Sequence, residues 1–288
     1  MSYSTSATSI RGLECHVHLW NVSPEETIPK ALVVVFHGFL AHGNYPTVRY
    51  AAEFLATEEY AVVAVDFPGH GKSKGQRGYL ESAETMVQDG ACMIDYATAL
   101  YKEKSLKLFL MGSSMGGAIA LSVAQQSKSK DQVAGVLLLA PMLKLNVSSA
   151  EHFALKGLAF FVPTWQLIPS SATNSEKQYR DDEKRKECDD DKLTVSGAYL
   201  QPSSALACVD ITHNIRSLFE TIETPMLIMV ADEDIVVKNE GSEELFSKSI
   251  SSDKIKNHYP SLHGLLCEPN PLFDEIKSDI LNWIKERL

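Results

Sequence analysis

The 288-residue sequence predicts an α/β protein, with a mostly parallel central sheet, helices on both faces and an inserted cap. Three observations predict it. Short apolar, β-branched runs alternate with stretches of helical spacing, the pattern of strands joined by crossover helices. The runs are continuous rather than alternating, as strands covered on both faces require. The rhythm breaks once, over residues 143–213, so the chain divides into a first core part (1–142), an insertion (143–213) and a second core part (214–288).

Residues 13–20 alternate, with Glu14, His16 and His18 set against Cys15, Val17 and Leu19. This predicts a half-exposed antiparallel edge strand with both histidines on its outer face. A proline-containing loop follows. Residues 31–36 form a buried strand that leads straight into His37-Gly38-Phe39-Leu40-Ala41-His42-Gly43-Asn44. Residues 48–57 have helical spacing, 60–66 are a second buried strand, 67–73 a turn and 82–101 a long helix. Residues 106–123 read strand, sharp turn, helix, and 133–140 are another buried strand ending at Pro141. Residues 225–231 and 255–259 complete the strands. Asn270-Pro271, a cap residue with proline at the first helical position, opens an amphipathic helix through Ile284. There is no internal repeat.

The insertion holds an apolar, aromatic piece over residues 153–168, with Phe160, Phe161 and Trp165, and then a charged run over 180–192 in which only Cys188 is uncharged. Mixed signs make the charged run a solvated helix or loop. The apolar piece is too short to span a bilayer. It reads either as a cap helix packed on the domain or as a lid that lines an acyl pocket and leans on a membrane or lipid droplet.

Composition narrows the function. An apolar content of 44% supports a sizeable core, and a net charge of -10 argues against nucleic acid and against electrostatic attachment to anionic membranes. The balance favours a neutral or membrane-extracted substrate. No signal-peptide core and no run of about 18 apolar residues is present, which predicts a cytoplasmic protein, peripherally membrane-associated at most. Five scattered cysteines show no C-x-x-C spacing, so neither a zinc site nor a disulfide framework is expected. Asn21-Val22-Ser23 and Asn146-Val147-Ser148 match the glycosylation pattern but carry no weight without a secretory signal.

Chemistry enters at Gly112-Ser113-Ser114-Met115-Gly116. G-x-S-x-G between a strand and a helix is a nucleophile elbow: small residues let strand and helix approach while a strained turn exposes the serine hydroxyl. Ser114 is therefore the candidate nucleophile. A serine hydroxyl is weakly nucleophilic at neutral pH, so a histidine must take its proton and a carboxylate must orient that histidine. After Ser114, the strand at 225–231 runs into Asp232-Glu233-Asp234, and the last strand runs into Ser261-Leu262-His263. His263 is the candidate base, with Asp232 and Asp234 as candidate acids. The order Ser, Asp, His is that of the α/β hydrolases. His37 reads as a brace for its loop, His42 and His70 as neighbours of the site, and Asp66 as a turn-forming carboxylate. Acyl transfer also needs backbone donors for an oxyanion, and the N–H groups of Met115 and Phe39 are the candidates.

These motifs together resemble the monoglyceride-lipase group of α/β hydrolases, which includes bacterial monoacylglycerol lipases and plant lysophospholipase-like esterases. The resemblance rests on His37-Gly38 with His42, on Asp66-Phe67-Pro68-Gly69-His70-Gly71-Lys72-Ser73-Lys74-Gly75 with Arg77-Gly78, on Gly112 to Gly117, and on His263 with Glu268. The group's acid follows a strand as G-x-x-D; here Ala231 replaces the glycine and Asp234 stands in the matching place. The resemblance thus implies Asp234 as the acid and a serine hydrolase, without metal or cofactor, that cleaves lipid esters through an acyl-enzyme. Monoacylglycerol is the substrate it implies first. A carboxylesterase or lysophospholipase with the same machinery is the alternative, and a non-catalytic binding module of this fold a further one.

Overall fold

In the computed structural model, which describes all residues except 23–27, 102–105, 127–131, 170–173, 196 and 198, the chain opens with a hairpin of β1 (Tyr3–Ile10) and β2 (Leu13–Trp20). Arg11 and Gly12 form its two-residue turn, both at positive φ, the geometry that matches strand twist. The loop after Trp20, including Ser23 of the first glycosylation match, lies in part outside the described residues.

β3 (Leu32–Phe36), β4 (Ala61–Val65), β5 (Leu108–Ser113), β6 (Val133–Leu139), β9 (Met226–Ala231) and β10 (Lys254–Tyr259) complete an eight-stranded sheet in the order β1-β2-β4-β3-β5-β6-β9-β10. β2 is antiparallel to both neighbours, and the remaining contacts are parallel. β7 (Ile168–Pro169) and β8 (Tyr199–Leu200) pair as a separate small ribbon.

Strand residues point alternately into two cores. Val34, Phe36, Leu110 and Leu138 meet α2 (Ala83–Ala99) and α3 (Met115–Ala124), while Val33, Val35, Met111 and Leu137 meet α1 (Pro46–Thr57) and α8 (Leu272–Lys285). Both faces are covered, which is why these strands read as unbroken apolar runs. α2 starts at a capping box in which Ser82 and Thr85 satisfy each other's backbone N–H groups. α7 (Glu240–Lys248) follows β9.

Between β6 and β9 the chain adds α4 (Ser149–Phe161), α5 (Asp182–Asp190) and α6 (Pro202–Arg216), and no strand of the large sheet. α6 belongs to the core packing, since its Cys208, Ile211 and Ile215 join the apolar cluster of α2 and α3. α4 is the opposite case. Of its thirteen residues only Leu155 is buried, while Phe153, Phe160 and Phe161 are each 80% exposed.

Three sequence expectations need correction. β2 is not an edge strand, because the polar strand YSTSATSI, which has no apolar alternation to announce it, pairs along its whole length. His18 is consequently buried rather than outward-facing, and His16 is half-buried. The last helix starts one residue later than expected, at Leu272, with Pro271 in the N-cap position and a cis Asn270–Pro271 bond.

Candidate active site

Ser114 sits between β5 and α3 at φ 55° and ψ -121°. That conformation costs a non-glycine residue about 1–3 kcal/mol, so neighbouring structure has to impose it. Two hydrogen bonds do so from the end of β6: Ser114 N donates to Leu139 O (3.0 Å), and Ser114 O accepts from Met142 N (2.9 Å). The glycines permit the close approach. A Cβ on Gly112 would lie 2.2 Å from Gly116 O, and one on Gly116 would lie 2.0 Å from Phe36 O.

His263 lies in the loop after β10, and Asp234 in the loop after β9. His263 Nδ1–H donates to Asp234 Oδ2 at 2.6 Å, and both side chains are buried. The other oxygen of Asp234 accepts from Val236 N (2.7 Å) and Val237 N (3.0 Å), so the carboxylate is fixed from both sides. Asp232 points elsewhere: it accepts from His258 Nδ1 at 2.7 Å, at the exposed end of β10. Of the two acids open in the sequence, Asp234 is the one in contact with His263.

Ser114 and His263 line one cavity of about 60 Å³, together with Gly38, Phe39, Tyr179 and Val236. No hydrogen bond joins the Ser114 hydroxyl to His263, a contact that commonly tightens only with substrate bound. Phe39, Tyr45 and Tyr179 are shared with a neighbouring cavity of about 360 Å³ that Ser175, Gln178, Cys188 and Val195 also line. That is within the size range of small-molecule pockets.

The backbone donors have a structural basis. His37 is fully buried, and burial holds its pKa down to about 3, so the ring is neutral. Its Nε2 accepts from Phe67 N (3.0 Å), which leaves Nδ1–H to donate to Gly38 O (2.8 Å). Fixing that carbonyl fixes the whole Gly38–Phe39 peptide plane, with the Phe39 N–H on the opposite edge. A Cβ on Gly38 would lie 3.7 Å from Ser114 Cβ, so this loop runs beside the serine. Neither the Phe39 N–H nor the Met115 N–H has an acceptor among the described residues. His70 packs against the rings of His37 and Phe39 and is likewise buried, its pKa lowered by burial to about 4.

His42 and Asp66 stand apart from the cavity. His42 Nε2–H donates to Asp191 Oδ2 (2.9 Å). Asp66 accepts from Gly43 N (2.7 Å), Lys72 N (2.8 Å) and His18 Nε2 (2.9 Å), more partners than a turn-forming role alone requires.

Arg180 is an unforeseen contributor. It pairs with Glu233 (2.8 Å), next to Asp234, and with the buried Glu268 (3.0 Å), whose other oxygen accepts from Leu262 N (2.7 Å), next to His263. Gly264 N donates to Gln178 O (2.8 Å), and a Cβ on Gly264 would lie 2.4 Å from the Tyr179 ring. Residues 178–180 thus brace the loops of both His263 and Asp234. A charged run of mixed sign gave no signal for this role.

Residues 27–270 match the family described as Hydrolase_4: serine aminopeptidase, S33. The chain belongs to the Hydrolase_4 family. Among its relatives, the monoglyceride lipase of Mus musculus is 27% identical, with 90% of this chain and 84% of that protein covered. The caffeoylshikimate esterase of Arabidopsis thaliana is 25% identical, with 90% and 79% covered. A soluble variant of monoglyceride lipase from Saccharomyces cerevisiae, solved with a substrate analog, has a TM-score of 0.84 at 19% identity, covering 98% of this chain and 94% of that one. The fold is that of the α/β hydrolases. This Hydrolase_4 member is a serine ester hydrolase of monoacylglycerol lipase-like type, as the motifs imply. Among the described residues, no helix is long and apolar enough to cross a membrane.

Proposed function

We propose that the chain hydrolyses monoacylglycerol to glycerol and free fatty acid, with Ser114, His263 and Asp234 as its triad. One observation carries the reading: a serine in a strained elbow and a histidine bonded to a buried carboxylate line the same cavity. Ser114 Oγ attacks the ester carbonyl while His263 Nε2 takes its proton. The N–H groups of Phe39 and Met115 hold the oxyanion, and the alkoxide of the leaving glycerol receives the proton from His263. Water then enters by the same route: His263 deprotonates it, it attacks the acyl-enzyme, and Ser114 leaves with the proton returned. Asp234 keeps the Nδ1–H tautomer throughout, so Nε2 is always the nitrogen that faces the serine. No metal or cofactor enters these steps.

Residues 143–213 act as the cap in this reading, with its helix α6 rooted in the core, and the 360 Å³ cavity lined by Tyr179, Cys188 and Val195 of the cap accommodates substrate. The names of the relatives support a glycerol ester first. A lysophospholipid or another carboxylic ester is the alternative, supported by the phospholipase and esterase names among them.

Hydrolysis of monoacylglycerols, a lysophospholipid and an acetyl ester by wild type and Ser114→Ala tests the reading. Long-chain monoacylglycerol is expected to be preferred, with Ser114→Ala inactive on all. A preference for another ester replaces the substrate, and turnover that survives in Ser114→Ala removes the mechanism.

The exposed face of α4 supports a cap that leans on lipid. Phe153, Phe160, Phe161 and Trp165 expose far more aromatic surface than scattered apolar residues on a soluble surface do. Changing Phe160 and Trp165 to Ser is expected to abolish flotation with neutral liposomes. Undiminished flotation would sink the docking role.

A further inference from the structure

Away from the serine, His152 on α4 faces Asp210 and His213 on α6. His152 Nε2 lies 2.7 Å from Asp210 Oδ1, and the two histidine rings meet edge to face with centroids 4.9 Å apart. One ligand atom from each of the three lies within 4.8 Å of the others. Asp210 and His213 stand three residues apart on one helix face, and α4 supplies the third group from across the helix pair.

We propose that His152, Asp210 and His213 bind a divalent transition-metal ion of the zinc class, which clasps α4 to α6. Two imidazoles and one carboxylate are the donor set that suits such an ion, with water completing a tetrahedron. On binding, His152 gives its Nε2 lone pair to the ion and carries its one ring proton on Nδ1, the proton moving between the two nitrogens through solvent so that the ring stays neutral.

Comparison with a second cluster argues for this one. His18, His42 and Asp66 also lie within ligand distance of one another, but their polar atoms are spent inside the protein. His18 contacts Tyr3 and Asp66 through its two nitrogens, and His42 contacts Asn44 N and Asp191. At the α4–α6 site, the His213 ring makes no hydrogen bond among the described residues and the residue is exposed, so its imidazole is open to an ion arriving from solvent. Lys156 and Arg216 are the nearby cations; Arg216 is engaged by Glu244 at 2.6 Å, and Asp210 supplies the compensating charge.

The clasp matters because α4 is thinly anchored. Leu155, packed with Ala205 and Val209, is its one buried residue.

The test is titration of the full chain with Zn²⁺ against a chromophoric chelator, Co²⁺ absorption as a geometric readout, and amide exchange across α4. His213→Ala changes an exposed side chain and so leaves folding intact. Wild type is expected to bind one ion saturably and to slow exchange over Ser149–Phe161. His213→Ala should lose at least about 100-fold in affinity, the upper end of what even an outer-shell change costs. Binding that survives in the variant, no saturable uptake by wild type, or uptake that leaves α4 exchange unchanged overturns the proposal.

Discussion

His263–Asp234 and His18–Asp66 are nearly the same pair by every local measure. Each is buried, each joins a ring N–H to a carboxylate at 2.6 and 2.9 Å, and each follows a strand of the same sheet through its acid. They differ in the second nitrogen. At His18 it is taken by the Tyr3 hydroxyl at 2.9 Å, whereas at His263 it makes no hydrogen bond among the described residues and the ring lines the cavity with Ser114. The nitrogen used for the carboxylate differs too, Nε2 in one and Nδ1 in the other. A buried histidine–aspartate contact is therefore no sign of catalysis by itself; in the proposed triad, a spare nitrogen in the serine's own cavity is what separates a base from a brace.

The same substitution in each acid should break the comparison in opposite ways. Asp234→Asn keeps an oxygen for Val236 and Val237 but puts an NH₂ against His263 Nδ1, which forces the wrong tautomer. Its kcat is expected to fall about 10⁴-fold, with the unfolding transition little changed. In Asp66→Asn the amide cannot accept from Gly43, Lys72 and His18 together. That variant should lose about 3–5 kcal/mol of stability, as when one partner of a buried pair is removed, yet turn over normally while folded. Urea unfolding and steady-state rates on the two variants read both effects. An inactive but stable Asp66→Asn would end the division of labour.

A smaller effect, in pH, belongs to two further buried rings, His37 and His70. Burial holds His37 down to about 3 and His70 to about 4, against an ordinary value of 6.5. Only the unfolded chain takes up these protons between pH 6.5 and 4. Stability is therefore complete above pH 6.5 and falls as pH drops through that window, by roughly 1.4 kcal/mol per unit for each ring. His70→Gln should flatten the slope of unfolding free energy between pH 6.5 and 5 by that amount. An unchanged slope would mean that His70 already takes up its proton in the folded protein.

The parts of the molecule legible in the sequence are those whose determinants are local. Gly112 to Gly116 specify the elbow within five residues, and the unbroken apolar runs specify strands buried on both faces. His263 as the candidate base followed from chain order. What stayed hidden depends on partners far apart: His18 and Asp66 are separated by 48 residues, and Arg180 reaches both Glu233 and Glu268. β1 was invisible for another reason, because a solvent-facing strand of serines and threonines has no apolar period. α6 was readable in principle, from Cys208, Ile211 and Ile215 on one helical stripe, but it lies in a stretch whose composition pointed to a separate insertion.

That polar first strand has a consequence for how copies of the chain behave at high concentration. β1 and β10 terminate the sheet. Small hydroxylated side chains line the one, and Lys254, Lys256 and His258 punctuate the other. An unpaired edge that is polar or cationic is a poor template for strand addition by a neighbour. The sheet ends of the molecule are thus guarded, and neither edge offers a neighbour a ready template for cross-β growth.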